Sequence, residues 1–336
     1  MVVNLVEKYG LVPKDVFPEA AATKVKQTTT KNSCQRLNGI LNSKLREFAC
    51  NIRSYHEKHK KYDVNRLREM KKEHLKEIYR ILVITFGVPP KSFSWAYRDK
   101  VFEAFFHFCV DVVFFLLICT FCDDKEYHRI NDVTPLEFYN YYVRKHLNVS
   151  DTVSLINDPR NEYFKTYTID RLNNIEGGKR PNVLYINMPI ETLKEQALTA
   201  LRDNIPVWFG CQVGKEYNSE KGILDVKQFD YELLFDTEFT MTKAQRLLYG
   251  DSLMTHAMVF TGVELDNDLK PVRWRVENSH GEKGNKGYIL MTDEWFDEHV
   301  YQLVVDKNRL PKDVIDTLSQ KPVVLPPWDP MGSLAL

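Results

Sequence analysis

From Val207 onward the apolar residues of this chain change their spacing, and that change limits the folds open to it more than any other feature. Before it, apolar side chains recur at every third or fourth position, the period of a helix that buries one stripe. After it, they come in short runs rich in valine, phenylalanine and tryptophan, separated by polar loops, as strands do. A chain built this way is expected to be α+β, with a helical first half and an antiparallel β second half.

In the first half, Leu37, Ile40, Leu41, Leu45, Phe48 and Ile52 mark one helix. Asp63 can cap a second, in which Leu67, Met70, His74, Ile78, Ile81 and Leu82 share a face. Gly87 and Pro89-Pro90 end it. Thr134-Pro135 opens a short helix, residues 150–190 read as loop-rich, and 191–203 form an amphipathic helix. Strands are predicted at 207–209, 257–263, 273–276, 288–291 and 303–305, with a brief helix over 293–299. The expected organisation is a mainly helical region over 1–190, a β-rich domain over 191–322 and a C-terminal arm over 323–336.

Charge and cysteine usage exclude several classes. Lys+Arg and Asp+Glu both total 46, so nothing favours nucleic acid or an anionic membrane as the main partner. The basic residues of the second helix alternate with Glu69, Glu73 and Glu77, the pattern of a solvated face. The six cysteines show no disulfide framework, and Cys119-x-x-Cys122 has no second ligand pair, so no metal and no cofactor are expected. An apolar insert at about 101–123 is interrupted by Glu103, His107 and Asp111, and its clean stretch, 112–122, is too short to span a bilayer. The first residues lack the pattern of a signal peptide, and reduced thiols fit the cytoplasm.

Two motifs carry chemistry. His256 opens an apolar strand in Thr255-His256-Ala257-Met258, and Asn278 follows the next strand in Glu277-Asn278-Ser279-His280-Gly281. A thiolate attacks an amide carbonyl when an imidazole takes its proton and returns it to the leaving amine. An asparagine oxygen can hold that imidazole in one tautomer, giving a Cys-His-Asn arrangement. One hairpin separates the two residues, which lets their side chains meet across neighbouring strands. Taken singly, a histidine at a strand start is more often structural, and an asparagine before Ser-x-Gly is more often a turn residue.

Together with Trp95-Ala-Tyr-Arg-Asp-Lys100, Thr134-Pro-Leu-Glu-Phe-Tyr139, Val207-Trp-Phe-Gly-Cys-Gln-Val-Gly-Lys215, Met291-Thr-Asp-Glu-Trp-Phe296 and Pro327-Trp-Asp-Pro-Met-Gly332, these motifs give the chain a resemblance. It resembles the bleomycin-hydrolase family, cysteine aminopeptidases of the papain superfamily, over most of its length. The resemblance implies a papain-like fold with an added helical region, His256 as general base and acid, and Asn278 as its orienter. It implies a homohexamer acting on peptides with a free amino terminus and on related amides. It further implies that the C-terminal arm lies in the cleft, where the carboxylate of Leu336 pairs with the substrate's α-amine.

The chain also departs from that family. The family's nucleophile sits in a Gly-x-Cys-Trp motif upstream of the stretch that Met1 matches, and no cysteine here precedes a tryptophan. The chain is therefore expected to be N-terminally truncated, without its nucleophile and inactive alone. The alternative is a catalytically inert fragment or interaction protein that still oligomerises. The insert at about 101–123 is expected to have no family counterpart, and His280 stands where the resemblance implies a tryptophan that shields the Asn–His hydrogen bond.

Overall fold

The computed structural model describes residues 2–18, 33–59, 63–100, 125–172, 183–278 and 283–335. The apolar insert at about 101–123, His280 and Leu336 lie outside the described residues. The chain divides into two compact units, Tyr9–Val143 and a second made of Met1–Lys8 with Arg144–Leu336.

In the first unit, two long helices, Ser33–His59 and Val64–Phe86, pack on each other. Asp63 caps the second through the Arg66 amide, and the Gly87 amide closes it onto Val83 O, both as the sequence requires. Phe48 stacks on His74 at 4.1 Å, and Lys44 pairs with Glu77 at 3.1 Å. The unit also holds an antiparallel hairpin that sequence periodicity does not reveal: β1 (Phe93–Lys100) pairs with β2 (Lys125–Val133), ending at Lys100 opposite Lys125. Phe93, Ile130 and Phe138 form its small core. Phe138 is delivered by the helix Pro135–Phe138, which Thr134 and Glu137 close with a reciprocal capping box.

Among the described residues, the second unit is built on one eleven-stranded sheet. Its strands are β3 (Thr152–Ile156), β4 (Lys165–Ile169), β5 (Tyr185–Asn187), β6 (Val207–Cys211), β7 (Tyr217–Asn218), β8 (Ile223–Leu224), β9 (His256–Leu265), β10 (Pro271–Glu277), β11 (Tyr288–Thr292), β12 (Val300–Asp306) and β13 (Val323–Leu325). Their order is β13-β4-β5-β3-β12-β6-β9-β10-β11-β8-β7, and the central run from β3 through β12, β6, β9 and β10 to β11 is antiparallel. The five predicted strands are all present. The stretch 150–190 differs from the loop-rich reading, because β3, β4 and β5 run through it. Neighbouring residues of these strands serve opposite faces: Leu155 and Ile186 join one buried cluster, Ile156 and Tyr185 the other. A strand buried on both faces has no alternation to read.

The helices Ile190–Arg202 and Asp293–His299 supply Leu193, Ala197, Trp295 and Phe296 to the first cluster. There Phe209 stacks on Phe260 at 3.9 Å, and Trp274 lies 5.0 Å from Phe296. The second cluster gathers Ile156, Tyr167, Ile169, Met254, Tyr301 and Met331, so the last turn of the chain packs beside the residues that lead into β9.

Candidate active site

β9 and β10 bring the two chemical residues together. Glu277 pairs with Val259, so Asn278 continues that ladder to a position diagonal to His256, on the face shared by Val276 and Phe260. The Nε2 of His256 lies 3.0 Å from the Oδ1 of Asn278. A carboxamide oxygen can only accept, so Nε2 is the donor, and in a neutral ring the lone pair then lies on Nδ1. That is the tautomer of a general base. The Asn278 amide donates to Gly287 O at 3.0 Å, which ties Asn278 to the approach of β11.

His256 is held from the other side by its lead-in segment. The Thr255 amide donates to Cys211 O at 3.0 Å, and Cys211 stands opposite His256 in the β6–β9 register. Gln212, one residue on, accepts from the Leu253 amide and from Ser252 Oγ, the latter at 3.0 Å. Ser252 Oγ also lies 2.5 Å from Tyr301 OH, and Gln212 N donates to His299 O at 3.0 Å. Sequence reading gives Gln212 and Ser252 no role at the site, since nothing local signals a bond across 40 residues of chain. Behind Asn278, the indole N–H of Trp274 donates to Asp293 at 2.9 Å, and Lys194 bridges Asp293 and Asp297 at 2.6 and 2.7 Å. These bonds tie β10 to the helices Ile190–Arg202 and Asp293–His299.

Cys211 is close to His256 in register and is still no nucleophile. It is fully buried in the first cluster, and burial pushes its thiol well above the ordinary range. Thiolate is what reacts, and this environment suppresses it. Cys50 is exposed, on the helix Ser33–His59 of the other unit. A cavity lined by His146, Gln196, Val207 and Arg309 lies at the opposite end of β6 from Cys211 and shares none of the site residues.

The arm reaches the same region. Ser333 Oγ donates to Met254 O at 2.6 Å, two residues ahead of His256. Leu336, the predicted amine-binding residue, lies outside the described residues.

Comparison with known proteins matches this arrangement to one group. A family model described as the Peptidase C1-like family matches residues 1–113 and 118–332. Bleomycin hydrolase from Rattus norvegicus and from Homo sapiens are each 43% identical over 100% of this chain and 67% of their own length. Aminopeptidase C from Streptococcus thermophilus is 40% identical over 100% of the chain and 68% of its own. The crystal structure of PepW from Lactobacillus rhamnosis HN001 superposes with a TM-score of 0.81 at 42% identity, covering 99% of this chain and 67% of that one. The chain thus spans about two thirds of the length of these relatives.

Proposed function

The chain belongs to the Peptidase C1-like family, and from that premise we propose that it carries the base-and-orienter half of a cysteine aminopeptidase site. The observation that carries the reading is the 3.0 Å bond from His256 to Asn278, which leaves Nδ1 as the basic nitrogen. His256 takes the thiol proton, the thiolate adds to the carbonyl of the first peptide bond, and His256 returns the proton to the departing amine. Water then hydrolyses the acyl-thioester, with His256 as base again. Cys211 is too deeply buried to supply the sulfur, and with no Cys-Trp pair in this sequence we assign the nucleophile to a cysteine that the sequence does not contain.

The substrates on this reading are peptides with a free amino terminus, together with amides of the kind that the relatives' name, bleomycin hydrolase, denotes. We extend the reading to Leu336, whose carboxylate would receive the α-amine. The anchoring of Ser333 at Met254 supports a path for the arm toward His256. A fixed anion there selects cationic termini and obstructs longer chains. Homohexamer assembly belongs to the same proposal, supported by the exposed apolar residues Leu233, Leu234, Phe235 and Phe239. A cytoplasmic location is supported by the free thiols of Cys50 and Cys211.

The test is hydrolysis of an aminoacyl-coumarin amide by the protein expressed from the longest reading frame that contains this sequence. His256→Ala is expected to lower kcat by about 10²–10⁴-fold. Turnover that survives this substitution would overturn the reading.

A further inference from the structure

A charged side chain in a protein interior stays there only when its charge and its hydrogen bonds are answered. Three such side chains meet where the arm docks. The Arg160 guanidinium grips Asp158 with two parallel bonds, Nε to Oδ1 at 2.8 Å and Nη2 to Oδ2 at 2.7 Å. The same Nη2 donates to both oxygens of Asp329, at 3.0 and 3.2 Å. Asp158 is fully buried and Asp329 is 6% exposed. Asp158 itself sits in a rigid loop: its amide donates to Asn187 Oδ1 at 2.8 Å, and Asn187 Nδ2 donates back to Asp158 O at 3.0 Å.

Asp329 then sets the course of the arm. Its Oδ1 accepts from the Met331 amide at 2.9 Å, and its carbonyl accepts from the Gly332 amide at 2.9 Å. Tyr185 OH donates to Met331 O at 3.2 Å. Gly332 passes so close to β4 that a Cβ there would lie 3.0 Å from Ile169 Cδ1. Ser333 completes the path at Met254. The peptide from 329 to 333 is therefore fixed in register, while its neighbour Trp328 stays 80% exposed.

We propose that Arg160, with Asp158 and Asp329, is an ionic latch that positions the C-terminal arm against the lead-in to His256. Resting on the reading of Leu336 given above, the latch also sets how strongly the site prefers a free amino terminus. The arm's end acts as a tethered ligand group, and loosening its anchor lowers the effective concentration at which it meets the cleft.

The experiment uses Asp329→Ala, which leaves the Arg160–Asp158 pair intact, with Gly332→Val as a second variant that displaces the arm and keeps every charge in place. Hydrogen exchange over residues 333–335, beyond the mutated contacts, is followed by mass spectrometry. The kcat/KM ratio between a free-amine substrate and its N-acetylated counterpart is measured in parallel. Both variants are expected to speed exchange, and the ratio to fall about tenfold or more. Unchanged exchange in Asp329→Ala overturns the latch. Faster exchange with an unchanged ratio supports the latch's hold on the arm and overturns the reading of Leu336.

Discussion

His256 and Asn278 can be read from the sequence because strand period and hairpin spacing put them on one face, and the 3.0 Å bond follows from that geometry. Asn278→Ala removes the acceptor on Nε2 and frees the ring to change tautomer. Its expected signature is a kcat lowered about 10²-fold with KM little changed, measured on the aminoacyl amide. Buried charged groups elsewhere in the fold are not legible. Arg160 and Asp329 are 169 residues apart, and Lys243 looks like any helix-start lysine until the fold closes on it. Lys243 Nζ donates to Asp297 O and Val300 O, both at 2.7 Å, with the Tyr301 ring 4.7 Å away. The residue as a whole is half-buried, but its ammonium is inside, and burial pushes it down from 10.5 to about 7 against the pull of Glu298 and Asp297. Between those pH values the unfolded chain binds a proton that the folded chain does not, so the stability contributed at this site rises with pH across that window. Below about pH 7 both states are protonated and the full cost of the buried charge remains. Relative to Lys243→Met, the wild type is expected to gain about 1–3 kcal/mol in unfolding free energy from pH 7 to pH 10, read by chemical denaturation. A flat difference would contradict this.

Elements differed in how openly they announced themselves. The strands β6, β9, β10, β11 and β12 are apolar or alternating runs between polar loops, and each appears where its residues put it. β3 and β5 place neighbouring residues in opposite buried clusters, β3 running into the polar Asn157 and Asp158 and β5 into Met188 and Pro189, so local pattern favours a loop. β1 and β2 carry Arg98, Asp99, Lys125 and Glu126 and are separated by a long stretch of sequence, which hides their pairing. The hairpin's neighbourhood is nonetheless sterically exact at one point. Gly10 has φ +78°, and a Cβ on it would lie 2.0 Å from the carbonyl oxygen of Pro135, the atom that also receives the Leu11 amide at 3.0 Å. Backbone cannot yield as a side-chain tip does. Gly10→Ala is expected to cost about 2–4 kcal/mol, seen as an earlier unfolding transition and faster proteolysis within Tyr9–Val143.

At the scale of the whole molecule, the apolar surface between β8 and β9 stands out. The helix Tyr231–Phe235 buries none of its residues, with Leu233 82% and Phe235 64% exposed. Such a run in a chain with no net charge favours association. Replacing Leu233 and Phe235 with glutamate is expected to reduce the mass seen by light scattering to that of a smaller species, with the thermal transition unchanged. An unaltered mass would place the contacts elsewhere. The ladder of the other unit ends at one rung. Because Lys100 pairs directly with Lys125, the polypeptide leaves and rejoins the ladder at a single rung, within roughly 5 Å. Doubling the length of whatever is spliced between them costs only about 0.6 kcal/mol in closure entropy. That rung is a natural socket, where a change in chain length leaves the paired strands on either side as they are.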